Sequence, residues 1–516
     1  VPLTGVVCGR SSAPDHPRLT VKRHQGSHKP RKSVIFNGVH TGTDFRVFEN
    51  TIDAAECAVK ERVLWAEGPP GHFHAPIQPT VSVHDRLRPF YRALKYRATK
   101  TTPMTFQQFA DSYQGRRQLM YSRAAADLDL KPFRNKDAVV KAFLKYEKYN
   151  FKHSLKKVVP RVISPRGPRY TVSLGVFIKP IEKRIFNIIN HDLYKMPAIL
   201  KGLNSKDRGT IIRAKWDRFA DPIAIGLDAK RFDRHVTKPM LEWEHSIYRL
   251  FYPDDRHLSR LLQLQLHNKV HMSLPDGKLS YTTVGTRMSG DMNTSLGNCV
   301  ISVAILYCFA RWVSVPMEIC NDGDDSVIIT ERKYESRIRS QLEGYFRELG
   351  FLLEVEPTVD VFERIVFCQC QPVWTTDGYI MVRDPRVTLT KDSICLLDLR
   401  GAKQYAGWLK SVGLCGLSLA GGIPVVQEYY ASFVRNGEGG SPFIAPPIEG
   451  GFQMLSQGMA RSYCQVNPRT RYSFWLAFDI DPAEQEAIEE YYSNLVLSTE
   501  LDIHGLPCFV QLPIKY

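Results

Sequence analysis

The run Cys320-Asn321-Asp322-Gly323-Asp324-Asp325-Ser326-Val327-Ile328-Ile329 decides how this chain is read. Val327 to Ile329 is a β-branched apolar stretch with the pattern of a buried strand, and Met317 to Cys320 reads as a shorter strand before it. Gly323 supplies the tight turn between them. The hairpin tip then carries two adjacent carboxylates, Asp324 and Asp325, which repel each other unless a cation sits between them. Hard divalent ions such as magnesium take carboxylate oxygens and keep waters for phosphate. The tip is therefore a candidate for metal-assisted phosphoryl transfer, although Gly-Asp-Asp alone also occurs in ordinary turns.

A second acidic pair lies upstream, in Ile223-Ala224-Ile225-Gly226-Leu227-Asp228-Ala229-Lys230-Arg231-Phe232-Asp233. An apolar strand runs into Asp228 and would deliver its carboxylate beside Asp324 on a neighbouring strand. Two metals about 4 Å apart, held by carboxylates from separate strands, activate an attacking oxygen and stabilise a leaving one. Taken alone, Asp228 reads better as a helix N-cap, and Asp233 equally well as a solvated helix acid.

Between the two pairs stands Gly285-Thr286-Arg287-Met288-Ser289-Gly290-Asp291-Met292-Asn293-Thr294-Ser295-Leu296-Gly297-Asn298. It opens as a glycine loop and continues as a helix. Thr294 and Asn298 are four residues apart and share a helix face, and Ser289 reaches the same side from the loop. These hydroxyl and amide groups suit a ribose 2′-hydroxyl, which both donates and accepts. A capped helix packed through small residues accounts for the segment equally well.

In order, the three segments resemble motifs A, B and C of viral RNA-dependent RNA polymerases. The middle one fits Ser-Gly-x3-Thr-x3-Asn at Ser289, Gly290, Thr294 and Asn298 without a gap. Further stretches narrow the resemblance to the tombusvirus-like group, with its carmo-, umbra- and luteovirus-type enzymes. They are Gly115-Arg116-Arg117, Arg161-Val162-Ile163-Ser164-Pro165-Arg166 with Arg169-Tyr170, Phe367-Cys368-Gln369, Arg383-Asp384-Pro385 with Lys391-Asp392, Gly422-Ile423-Pro424-Val425, and Phe474 to Gln485. The likeness covers roughly residues 100 to 500.

Composition agrees. A chain of 516 residues exceeds one simple core, and 43% apolar residues is typical of a globular fold. A net charge of +16, from 69 Lys and Arg against 53 Asp and Glu, points to a polyanionic partner. From Lys145 to Arg184 there are 11 basic residues and only two acids, and from Asp85 to Arg123 nine against two. Phe143, Tyr146, Tyr149, Phe151, Tyr170 and Phe177 interleave with the first run, a pattern that favours a lined nucleic-acid channel over a merely solvated face. The 11 cysteines are scattered. Cys368 and Cys370 would face one way on a strand, as a zinc half-site or, better, as packed free thiols. His72 and His74 lie in a Gly/Pro-rich loop, residues 67–79. Residues 38–42 and 436–451 also read as linkers. No secretory signal opens the chain. The apolar run from Val300 to Pro316 is broken by Arg311 and too short to span a bilayer.

The resemblance implies an α+β fold, a closed right hand with an antiparallel palm sheet and helix-rich fingers and thumb. Residues 85–217 would be fingers, with 234–284 inserted. Residues 218–233 and 285–372 would be palm, and 373–516 thumb and C-terminal region. Residues 1–84 would be an N-terminal extension of unknown role. A helical pattern from Pro482 to Leu495, opened by Asp481-Pro482, agrees with an α-rich thumb. The resemblance also implies template-directed RNA synthesis from ribonucleoside triphosphates for a positive-strand RNA virus. Asp228, Asp324 and Asp325 would be catalytic and hold two magnesium ions, with manganese as a substitute. Lys156, Lys157, Arg161 and Arg166 would neutralise the triphosphate, and Asp233, Ser289, Thr294 and Asn298 would sense the ribose. Arg116, Arg117, Gly290, Phe367, Cys368 and Gln369 would meet primer or template.

A general acid for pyrophosphate is not evident, since Lys333 is the nearest lysine after the hairpin and residues 349–357 carry only Glu354 and Glu356 as charges. Expected partners are template and nascent RNA, nucleotides, and an auxiliary viral replication protein. That protein would supply membrane attachment at replication complexes in the host cytoplasm. In this group the polymerase is commonly the downstream part of a readthrough or frameshift product, so the chain is expected to be a piece of a longer one. A reverse transcriptase shares the carboxylates but usually carries Tyr-x-Asp-Asp and lacks the ribose-sensing set. A nuclease explains the acids but not the order of motifs, and a coat protein explains only the charge.

Overall fold

Four antiparallel strands bring the acidic segments together. Their order is Glu318–Asp322, Asp325–Glu331, Pro222–Ala229, Leu353–Val359. Both outer faces of the middle strands are covered, so alternate residues enter different cores. Ile223, Ile225, Leu227, Ile319 and Ile328 join the largest core, with the helix Thr294–Val313 and the helix Glu335–Glu348. Ala224, Cys320, Val327 and Ile329 point the other way, toward Leu200, Ile212 and Trp216. Glu318–Asp322, Asp325–Glu331 and Pro222–Ala229 carry continuous apolar runs because both faces are covered there, whereas the edge strand Leu353–Val359 is partly exposed.

The structure, a computed structural model, describes residues 2–27, 29–36, 43–151, 157–443 and 455–497. Lys156, the linker at 38–42 and the second half of that at 436–451 lie outside these residues. The mixture of helices with mainly antiparallel sheets makes the fold α+β, as expected. The strands anticipated around the turn are present. The apolar run after Val300 is the helix Thr294–Val313. The helix is longer than the run suggested: among the described residues it is the one helix long and apolar enough to cross a membrane, and most of it is buried inside the protein.

A second sheet joins distant parts of the chain. The hairpin His267–Leu274 and Gly277–Val284 takes Val140–Lys141 on one side and the N-terminal strand Leu19–Arg23 on the other. A third sheet pairs Pro2–Thr4 with Lys32–Ile35, and the latter with Ile394–Cys395. The described residues among the first 84 therefore do not stand apart: their strands pair with the hairpin at 267–284 and with Ile394–Cys395. Helices Ala402–Ala420, Val426–Asn436, Pro468–Phe478 and Pro482–Ser493 share a further core. Asp481 caps the last of them in a reciprocal capping box with Glu484.

The aromatic interleaving does not form a continuous lining. Tyr149, Tyr170 and Phe177 are buried, whereas Phe143 and Tyr146 are exposed. Of the described basic residues around them, Lys157, Arg161, Lys183 and Arg184 are exposed and Arg166 is buried, while these three rings supply core volume.

The helix Ser205–Trp216 lies against the strand Gly378–Arg383. A Cβ at Gly209 would run into the Tyr379 carbonyl, so glycine sets the closeness of that approach. The next residue back, Arg208, is fully buried and reaches Asp322 beside the acidic turn. Gly209→Ala is expected to cost about 1–3 kcal/mol by forcing backbone apart. A lower thermal midpoint in the purified variant checks this, and an unchanged midpoint refutes it.

Candidate active site

Strand register places the acids. Asp228 lies directly opposite Asp325, and on its other side opposite Glu354. Asp322 pairs with Asp325 to close the hairpin, leaving Gly323 and Asp324 at the tip. Gly323 has φ of 72°, a left-handed conformation that glycine adopts without strain. The Asn321 side chain fixes the turn from within, donating to the Gly323 carbonyl at 2.9 Å, the Asp325 carbonyl at 3.1 Å and Ser326 Oγ at 2.9 Å. The long buried helix holds the turn from behind. Ser302 Oγ donates to the Gly323 carbonyl at 2.8 Å, and Cys299 Sγ accepts from the Gly323 amide at 3.2 Å.

The carboxylates divide into two kinds. Asp322 is paired with Lys201 at 3.2 Å and with Arg208 at 2.5 Å. Among the described residues, Asp228, Asp324 and Asp325 form no ion pair with any lysine or arginine. The surrounding protein, and after it Glu354 and Asp324, hold the Asp228 carboxyl above its usual range. The same crowding, then Asp324, Asp322 and Asp228, pushes Asp325 up to about 6. All-oxygen, mutually repelling donors of this kind fit a hard divalent cation. Among the described residues no three such side chains are already gathered around one point.

The loop and helix that follow sit beside these acids. Asn298 Nδ2 donates to Asp233 Oδ1 at 3.0 Å. Burial holds the Asp233 carboxyl high, and the Asn298 bond opposes that. Ser289 and Thr294 have other work in the structure. Ser289 Oγ donates to the Val162 carbonyl at 3.0 Å, and Thr294 Oγ1 to the Met288 carbonyl at 3.0 Å, so both protons hold the loop. Gly290, at φ 141°, lets the loop press against Pro165.

The expected triphosphate set separates. Arg161 is more than half exposed, lies 3.6 Å from Glu147, and its charge reaches Asp233. Lys157 pairs with Glu61 at 2.8 Å. Arg166 departs from expectation. It is buried, donating to Asp291 Oδ1 at 2.7 Å, to Asn268 Oδ1 and to the Ala138 carbonyl both at 2.6 Å. A guanidinium so occupied supports the loop instead of facing a nucleotide.

Arg116 and Arg117 stand exposed at the start of the helix Gly115–Leu130. Arg86, by contrast, is paired with Glu348 and stacked on Trp312 and Tyr345. Phe367 is a core residue, with Cys368 and Gln369 forming a tight turn at φ 50° and 62° between the paired Phe367 and Cys370. Cys368 is thus in a turn and not on the strand, so it does not face the same way as Cys370. The described cysteines are all free. Lys333 follows a strand that runs away from the tip, six steps beyond Asp325 at Glu331, about 20 Å along the sheet. It therefore lies at the far end from the acids.

Sequence reasoning missed several members. Glu354 and Glu356 alternate on the fourth strand and face the Asp228 side, an x-Glu-x-Glu signal that was legible. Arg231, at φ 50° and crowded by Arg161, belongs to the same basic corner as Arg62 from the N-terminal region. No pattern in the sequence announces that meeting.

A model of the family described as viral RNA-dependent RNA polymerase matches residues 19–500. The chain belongs to that family. It is similar to the RNA-directed RNA polymerase of tobacco necrosis virus (strain A), with 38% identity over 495 residues, 95% of this chain and 67% of that protein. The corresponding protein of oat chlorotic stunt virus is 37% identical over 522 residues, 97% of this chain and 69% of its own length. That of turnip crinkle virus is 35% identical over 496 residues, covering 95% and 63%. This viral polymerase chain therefore spans about two thirds of these three relatives. Its enzymatic class, RNA-directed RNA polymerase, follows from the family.

The charge pattern at the turn has a pH signature. The folded Asp325 carboxyl holds its proton to about pH 6, against 3.8 for the ordinary group. Ionising it in the folded, metal-free chain therefore costs stability as pH rises between those values. The penalty is complete above about pH 6 and absent below about pH 4. Asp325→Asn is expected to raise the thermal midpoint of metal-free protein at pH 7 and to leave it unchanged near pH 4. Destabilisation at neutral pH would contradict this.

Proposed function

We propose that this chain synthesises RNA on an RNA template from ribonucleoside triphosphates, replicating a positive-strand RNA genome. One juxtaposition carries the reading: Asp228 faces Asp325 across paired strands, with Asp324 at the adjoining turn. Asp228 and Asp324 would hold two divalent cations, with Asp325 in support, magnesium by preference and manganese as a substitute. Bound there, the cations would supply charge stabilisation for the attacking 3′-oxygen and the departing pyrophosphate. Arg161, with Lys157 and Lys156, would neutralise the triphosphate. Asp233 and Asn298 would take the ribose 2′-hydroxyl, and that pair favours an RNA polymerase over a reverse transcriptase.

In this reading the four-stranded sheet is the palm, formed by residues 218–233 and 285–372. Residues 85–217 with 234–284 are the fingers, and the C-terminal helices are the thumb. Exposed Arg116 and Arg117 face RNA, and the turn at Cys368 and Gln369 supports the primer end. The enzyme would work in the host cytoplasm at membrane-associated replication complexes, brought there by an auxiliary viral replication protein. That last element rests on the family resemblance.

Primer extension on an RNA template tests the core of this. Asp228→Ala and Asp324→Ala are each expected to abolish incorporation while retaining RNA affinity, because affinity comes from basic side chains remote from the turn. Wild-type extension by either variant would sink the assignment. Replacing Arg116 and Arg117 by alanine should instead weaken RNA binding. The slope of log affinity against log salt should fall by about 0.7 for each single-strand phosphate that is no longer neutralised.

A further inference from the structure

The buried side of Asn298 holds a feature that the ribose reading does not use. A side-chain amide has one accepting and one donating end, and turning it over exchanges them. Arg287 Nε donates to Asn298 Oδ1 at 2.9 Å. A guanidinium has no acceptor, so the amide oxygen must face Arg287 and the amide nitrogen must face Asp233. The turned amide would set N–H against guanidinium and oxygen against carboxylate, unfavourable at both ends.

Arg287 cannot swing away. Its Nη1 donates to Glu244 Oε1 at 3.1 Å, and Nη2 pairs with Glu244 Oε2, with both side chains almost wholly buried. Glu244 comes from the helix Lys238–Arg249 and is itself held by Asn293 Nδ2 at 2.9 Å and by the Tyr248 hydroxyl. The Arg287 backbone amide donates to the Asp233 carbonyl at 2.8 Å, tying the same residue to the other half of the pair. Gly297 makes room: a Cβ there would collide with Glu244 Oε1 and Arg287 Nη2.

We propose that Arg287, anchored by Glu244, is a positioning residue for sugar discrimination: it locks the Asn298 amide so that its nitrogen always faces Asp233 and the carboxylate stays aimed at the ribose. The inference rests on the proposed ribose role of Asp233 and Asn298. Arg287→Lys keeps a cation for Glu244 but has one nitrogen and cannot hold both partners. With the amide free to turn, the ratio of kcat/KM for ribonucleotide over deoxyribonucleotide should fall about tenfold, the size of one hydrogen bond to a charged group. The loss should lie mainly in KM for the ribonucleotide.

The test is a double-substitution cycle on that ratio with Arg287→Lys, Asn298→Ala and both together, each checked for folding by thermal melting. If Arg287 acts through Asn298, adding Arg287→Lys to Asn298→Ala changes the ratio no further. Additive losses, or an unchanged ratio in Arg287→Lys alone, would overturn the proposal. If Asn298→Ala itself leaves the ratio unchanged, the ribose reading fails instead, so the two failures are distinguishable. Glu244→Gln, nearly isosteric, carries the same cycle should Arg287→Lys not fold.

Discussion

Like charges forced together are the constraint around which this protein is arranged. Asp228 and Asp325 sit opposite each other on paired strands, with Asp324 at the turn between, and no lysine or arginine among the described residues is paired with them. The sheet tolerates this because its interior is apolar on both faces and the turn is tied down atom by atom. Asn321 holds three groups of the turn from inside, and Ser302 and Cys299 hold it from the helix behind. Asp322 lies on the inner side and receives Lys201 and Arg208. Neutralisation stops one residue short of the tip.

Two buried ion pairs frame the loop between the acidic segments. Arg287 with Glu244 secures its beginning, and Arg166 with Asp291 secures it just ahead of the helix. Desolvating such pairs is costly, and apolar replacements often match them in stability. Their directional hydrogen bonds offer what apolar packing cannot, a fixed orientation for neighbouring polar groups. Each guanidinium here also donates to a side-chain amide oxygen, Asn268 in one case and Asn298 in the other. The hydroxyls of Ser289 and Thr294 belong to the same scaffold, since each donates to backbone.

The strands around Gly323 and the Asp228 strand were legible because apolar runs ending in acids leave few alternatives. The resemblance grouped Asp233 with Asn298, and the structure joins them by a hydrogen bond. Burial was less legible. Arg166, Phe367, Tyr149, Tyr170 and Phe177 have the residue types of a binding surface, yet the structure spends them inside. Nothing local distinguishes an arginine that faces a phosphate from one that meets a buried aspartate, as Asp291 lies far along the chain from Arg166. The placement of the first 84 residues was equally opaque, because strand partners distant in sequence leave no periodic signal.

That last arrangement governs how the chain is made. Leu19–Arg23 completes a sheet whose partner strand begins at Gly277, and Lys32–Ile35 awaits Ile394–Cys395. Both segments emerge from the ribosome long before their partners do, and domains otherwise tend to fold from the N-terminus as they appear. Leu19–Arg23 must wait without its partner while the chain up to Gly277 is translated, and Lys32–Ile35, which has Pro2–Thr4 on one edge, waits with its other edge open. Lys22 and Arg23 place charge on the first of these, the kind of residue that discourages an open edge from pairing with a neighbouring chain. Closure of the fold is thereby a late event, in which strands made early receive partners made late.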